Sequence, residues 1–566
     1  MNWKIVSLVF VFSISLIVPS HTQQEKHVKN VIMMIPDGTS LSVLSLARWY
    51  KYGICPADNT CWLTMDKLIC GLVKTHSSDA PIGDSAPTGS SYATGYLSHT
   101  GYIATYPKSS GKERDLVPID PNKAYQPLFT ILEAAKINHK STGLVVTCQF
   151  PHATPADFSA HTPHRDKYDL IAKQMVYNHI NVVFGGGTKY LDPQKREDKE
   201  NLVSVLKNRN YQYVTKNEDF KKLKYSDSLV WGLFANDALP YDLDSNKDSI
   251  PSLSEMTDKA IQILSKNKEG FFLMVEGSKV DWAAHNNDAV GMATEFLAFD
   301  KAVQTALDFA TKDGNTAIVI CPDHGNSGMS IGGQRTVKGY DTLSISSIVT
   351  PLRNCRHTAE GLTEILVSLP DVATIPNVFT ENTKIDLTQE EQVSLIASAK
   401  KGPGALDREI VKLYTSHSYI GFTTTGHTGE DVMLGNYHPH DYKLSGVVQN
   451  TAVNAYMQEI LGGPSLNELS NQYYCIDSVA LKGYTFEITP NTISKTYSTL
   501  VIRKNAKSKK RAEINAYTDF VTIYDGKKEL KKINLNSVAV FISEEKEKIN
   551  RFYIPRSVGE ILQREI

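Results

Sequence analysis

Several short segments of this chain end in residues able to hold divalent cations. Asp37 closes Ile35-Pro36-Asp37-Gly38, and Glu276 ends the run Phe271-Phe272-Leu273-Met274-Val275. Asp281 and His285 follow it, four positions apart. Asp323-His324 come after Ala317-Ile318-Val319-Ile320, and His427 sits in Thr425-Gly426-His427-Thr428-Gly429. One Asp or His in such a place more often caps a helix or stays solvated. Five such sites together point to metal. On a helix, Asp281 and His285 would share a face, a spacing suited to one ion. Mixed imidazole and carboxylate donors suit zinc, and all-oxygen donors suit magnesium.

Ser85 lies in Gly83-Asp84-Ser85-Ala86-Pro87-Thr88-Gly89-Ser90. Pro87 fits the first turn of a helix running toward Gly95. Ser85 would then stand at a helix N-terminus, where free N–H groups and the helix dipole favour phosphate. Taken alone, Asp84 or Ser85 reads as an N-cap. No histidine base is adjacent in sequence, but zinc can make a serine alkoxide accessible.

The elements that must position these groups are legible as unbroken apolar runs: Val31–Ile35, Gly143–Val146, Asn181–Phe184, Phe271–Val275 and Ala317–Ile320. Unbroken rather than alternating hydrophobicity marks strands covered on both faces. Between the last two, Ala289 to Phe309 carries Met292, Phe296, Phe299, Val303 and Leu307 at helical spacing, with Gly314 as a stop. The alternation predicts an α/β fold: a mostly parallel central sheet flanked by helices on both faces, with functional groups beyond the carboxyl ends of the strands. The pattern changes after Leu461-Gly462-Gly463-Pro464. Alternating segments near 484–488 and 498–502, and Phe520–Tyr524 before the hairpin signal Asp525-Gly526, predict a small β-rich C-terminal domain over 467–566. The basic run from Arg503 to Arg511 reads as a solvated hairpin turn.

Length and charge narrow the classes. The chain has 566 residues and a formal charge of −1, which argues against a general nucleic-acid binder. Met1-Asn2-Trp3-Lys4, an apolar run from Ile5 to Val18, and the break at Pro19–Thr22 read as a signal peptide over 1–22. The C-terminus is charged, and no membrane anchor is expected. Of seven cysteines, Cys55 and Cys61 read either as a small disulfide loop or as two buried thiols. No asparagine heads an Asn-x-Ser/Thr acceptor. The expected location is therefore secreted: the bacterial periplasm or the extracellular space.

The order of the motifs resembles the alkaline phosphatase family. They are Asp-Gly after the first strand, Asp84-Ser85-Ala86, His152-Ala153-Thr154-Pro155, His161-x-x-x-Arg165, Val275-Glu276-Gly277 with Asp281 and His285, Asp323-His324-Gly325, and Gly426-His427-Thr428-Gly429. The Phe184-Gly185-Gly186-Gly187 turn is also similar, and the resemblance runs from about Val28 to Tyr442. It implies phosphate monoesters as substrates, a phosphoserine on Ser85, two zinc ions and one magnesium ion, and a homodimer. Asp281, His285 and His427 would hold the first zinc. Asp37, Asp323 and His324 would hold the second, with Ser85 beside it. Asp37, Thr154 and Glu276 would hold magnesium near His152, and Arg165 would clamp two phosphate oxygens. His152 and Trp282 stand where the best-known enterobacterial form has aspartate and lysine; the imidazole favours zinc or cobalt over magnesium at the third site. The catalytic domain would span 23–466, with an insertion at about 330–420 that contains an amphipathic helix over 387–400. The rival readings are a related phosphodiesterase or sulfatase, and an inactive binding protein.

Overall fold

The computed structural model describes residues 25–55, 60–492 and 494–566; the expected signal peptide lies outside them. The ten main-sheet strands are β1 (Asn30–Pro36), β2 (Ile69–Lys74), β3 (Ser141–Gln149), β4 (Val182–Gly186), β5 (Gln212–Val214), β6 (Val230–Leu233), β7 (Phe271–Gly277), β8 (Thr316–Ile320), β9 (Val432–Tyr437) and β10 (Gly446–Gln449). Their spatial order is β10-β2-β9-β8-β1-β7-β3-β4-β6-β5. Only β9 runs antiparallel to its neighbours. Each of the five apolar runs forms a strand of this sheet. They bury side chains on both faces: Val31, Met33 and Ile35 enter one core, Ile32 and Met34 the other. This double burial is why the runs lack alternation.

The register explains where chemistry collects. On β1, Ile35 pairs with Glu276 of β7, and Met34 pairs with Ile320 of β8. The segments leaving three adjacent strands therefore bring Asp37, Glu276 and Asp323 to one edge. The long helix expected after His285 spans Ala289–Asp313. Asp288 caps its start and Gly314, at φ 67°, its end.

Between Ser330–Ile331 and Ile420–Gly421, which pair as a short antiparallel ribbon, the insertion is helical. The helix expected over 387–400 spans Gln389–Lys401, and Thr388 and Glu391 form its capping box. Cys55 and Cys61 form a disulfide. The C-terminal region carries a five-stranded antiparallel meander from Thr485 to Asn534. The basic run lies on the hairpin joining its second and third strands. Two polar contacts tie this region to the main body: the Tyr474 hydroxyl donates to buried Glu133 Oε1 at 2.7 Å, and half-buried Arg209 Nη2 donates to Asp519 Oδ1 at 2.6 Å. Among the described residues no helix is long and apolar enough to cross a membrane.

Candidate metal-dependent active site

Ser85 opens the helix Ser85–Thr94, which ends at Gly95 in the left-handed region, φ 78°. Asp84 is its N-cap but makes no side-chain cap bond. It pairs instead with Arg165 Nη1. Burial pushes the Asp84 carboxyl up, but the Arg165 guanidinium outweighs it and holds the group below its ordinary range. Ser85 is buried, and its Oγ lies 3.2 Å from His324 Nε2.

His324 Nε2 lies 3.3 Å from Asp323 Oδ2 and 3.5 Å from Asp37 Oδ1. Its ring stacks on His427 with centroids 3.7 Å apart. His427 Nε2 is 3.7 Å from Asp281 Oδ1, and His285 Nε2 is 3.4 Å from Asp281 Oδ2. The Lys279–His285 helix carries both Asp281 and His285.

Each of these histidines sets its Nδ1 against a backbone carbonyl: His324 against Gly325 at 3.0 Å, His427 against Gly83 at 2.9 Å, His285 against Thr425 at 2.7 Å. Donation from Nδ1–H assigns the tautomer and leaves Nε2 as a lone pair. The Nε2 atoms of His285 and His427 then face each other at 3.0 Å. Two lone pairs at that distance repel unless a cation lies between them.

The carboxylates make the same case. Asp37, Glu276, Asp281 and Asp323 are all buried. Among the described residues, only histidines lie at ion-pair distance from Asp37, Asp281 and Asp323. Both oxygens of Asp37, Glu276 Oε1 and Asp323 Oδ2 have no hydrogen-bond partner. Burial, followed by the charges of Asp323, Asp281 and Glu276, pushes the Asp37 carboxyl well up. Burial and Asp323 push Glu276 up to about 8. Buried, unpartnered anions on this scale need cations as partners. Donor atoms of Asp37, Asp323 and His324 lie within 4.8 Å of one another, as do those of Asp281, His324 and His427. The donor set therefore fits metal ions.

The remaining expected residues are Thr154, His152 and Trp282. Thr154 is buried with its Oγ1 unpartnered. His152 Nε2 lies 3.5 Å from Arg165 Nη2, and burial followed by the Arg165 charge lowers the His152 ring to about 3. Trp282 meets His152 edge-on, at 6.0 Å between centroids.

Three further residues escaped the sequence reading. Asn326 Nδ2 donates to Asp281 Oδ1 at 2.7 Å and orients it. Asp84 braces Arg165. Cys148, at the end of β3, joins His152 and Glu276 in a third group of mutually close donors. Its position four residues before His152 was the one sequence signal available. Beside His285 a cavity of about 750 Å³ opens, walled by the insertion through Arg335, Asp407, Arg408, Lys412 and Tyr419.

A mostly parallel sheet that carries a carboxylate–histidine cluster fit for metal ions, with a helix-terminal serine and an arginine beside it, defines a metal-dependent phosphoryl-transfer hydrolase. The alkaline phosphatase family model matches residues 28–462, and the chain belongs to that family. Alkaline phosphatase 3 of Bacillus subtilis is 35% identical over 456 residues, covering 77% of this chain and 91% of its own length. The repressible alkaline phosphatase of Saccharomyces cerevisiae is 29% identical over 514 residues, covering 82% and 86%. The crystal structure of a cold-active alkaline phosphatase from a psychrophilic Shewanella sp. superposes with a TM-score of 0.67 at 29% identity, covering 77% of this chain and 100% of that one. The chain is thus an enzyme, a metal-dependent hydrolase of phosphate monoesters.

Proposed function

We propose that hydrolysis runs through a phosphoserine on Ser85. The observation that carries this reading is the position of Ser85: first residue of its helix, with Oγ 3.2 Å from a metal-cluster histidine. The helix N-terminus offers backbone N–H groups to an incoming phosphate. Arg165, freed in part from Asp84, supplies two parallel donors to the phosphate oxygens. Ser85 Oγ attacks phosphorus as its proton passes to solvent; the ester oxygen leaves on the opposite side with the bonding pair, takes a proton from water and departs as the alcohol. A water then takes the phosphoryl group from Ser85 and regenerates the hydroxyl.

Asp281, His285 and His427 would hold one zinc, Asp37, Asp323 and His324 a second next to Ser85, and Asp37, Thr154 and Glu276 a third ion, magnesium in the family pattern. Bound metal supplies Lewis-acid charge for the nucleophile, the leaving oxygen and the attacking water. We read residues 23–466 as the catalytic domain and 467–566 as a separate β-rich domain, in a secreted homodimer.

The test is to quench the enzyme at low pH during turnover of labelled p-nitrophenyl phosphate and map the label. Label on Ser85, with turnover removed by chelator and restored by zinc and magnesium, is expected. Label on any other residue overturns the assignment.

A further inference from the structure

Cys148 is the penultimate residue of β3, is fully buried, and sets its Sγ 3.5 Å from Glu276 Oε2. One donor atom each from Cys148, His152 and Glu276 lies within 4.8 Å of the other two. Of the five free cysteines, it alone joins such a group among the described residues. A buried thiol by itself is ordinary core packing. Here its neighbours are not packed as core. His152 Nδ1, Thr154 Oγ1 and Glu276 Oε1 are all buried without a hydrogen-bond partner, and two of these three residues belong to the close donor group with Cys148.

The character of these donors bears on which ion they hold. Magnesium requires near-octahedral oxygen donors at short range and keeps several waters. Thiolate and imidazole are softer donors that select zinc or cobalt(II). A carboxylate accepts either kind of ion. A thiol and an imidazole facing Glu276 therefore shift the site away from magnesium.

We propose that Cys148 is a metal ligand and that Cys148, His152 and Glu276 hold a third zinc ion in place of magnesium. The proposal rests on the metal-dependent reading above and changes the identity of its third ion. Binding converts the Cys148 thiol to a zinc thiolate and releases one proton to solvent. The hydrogen bond from Sγ to Glu276 is lost in that step, which frees the carboxylate oxygen to turn to the ion.

The test uses the full-length protein, stripped of metal and reloaded with cobalt(II) or with zinc in the presence of excess magnesium. Wild type is expected to show a near-ultraviolet thiolate-to-cobalt charge-transfer band and to retain a third equivalent of zinc against magnesium. Cys148→Ser and Cys148→Ala should lose the band and that one equivalent while keeping the other two. A cobalt-loaded wild type without the band, or magnesium as the third ion in wild type and variants alike, overturns the proposal and leaves the phosphatase reading intact. A protein that retains no zinc or cobalt at any site overturns both. The band is read on wild type, so a variant that fails to fold does not obscure the result.

Discussion

Gly38 offers a direct test of how closely the proposed metal ligands are packed. It follows Asp37 with φ at 60°. A methyl group there would lie 2.3 Å from Asp281 Oδ1 and 2.8 Å from Asp281 Cα. Carbon atoms pack at ~3.5–4.0 Å, so the backbone of the Lys279–His285 helix must retreat by roughly 1 Å. The left-handed φ costs Ala a further ~1 kcal/mol, and overpacking of this kind typically costs ~1–3 kcal/mol. Gly38→Ala should therefore lose ~2–4 kcal/mol of stability. The displaced helix carries Asp281 and His285, and a shift of ~1 Å at a reacting centre can cost ~100-fold in rate. Three measurements check this: zinc stoichiometry, urea unfolding with and without saturating zinc, and kcat/KM on p-nitrophenyl phosphate. A variant with wild-type zinc content, stability and kcat/KM would refute the claim that Gly38 exists to admit Asp281.

Ser85→Ala should abolish the phosphoenzyme and lower kcat by about three orders of magnitude or more, the residue coming from metal-assisted attack by water; near-normal burst kinetics would contradict it. Arg165→Ala should weaken phosphate inhibition and lower kcat/KM together, by roughly 2–4 kcal/mol. A change in kcat/KM with unaltered phosphate inhibition would remove Arg165 from the phosphate. Glu295 is buried, its carboxyl pushed up to about 7 by burial, and its Oε1 accepts the Asp242 N–H. Because the folded state holds this proton above the pH at which the unfolded chain loses it, stability falls as pH rises from about 4.5 to 7, by up to ~3 kcal/mol. Glu295→Gln keeps the acceptor and should remove that fall, so its advantage over wild type in urea unfolding must be larger at pH 8 than at pH 5. Equal differences at both pH values would refute the assignment.

The buried strands were legible because burial on both faces writes itself as unbroken hydrophobicity, as in Val31–Ile35 and Phe271–Val275. The helix ends were legible for local reasons: Gly95 and Gly314 each do their work within one turn. The motifs named the clustered donors because Asp37, Glu276 and Asp323 leave neighbouring strands. The antiparallel insertion of β9 between β2 and β8 was not legible, since strand pairing over such separations leaves no local mark. Nor was the helical build of the insertion beyond its one well-capped helix. Cys148 was hidden for the converse reason: a cysteine at the end of an apolar strand looks like core until its neighbours in space are known.

The spread of the ligands along the chain sets a timetable. Asp37 is made near the start of synthesis and His427 only after the helical insertion, and β1 cannot be flanked until β7 and β8 exist. No early fragment contains a complete site, and closing such long loops is slow. On the proposed ligand set, metal loading would follow sheet assembly. A nascent chain presents scattered carboxylates and imidazoles rather than a chelate, so the proposed site would draw its ions from the compartment where folding finishes.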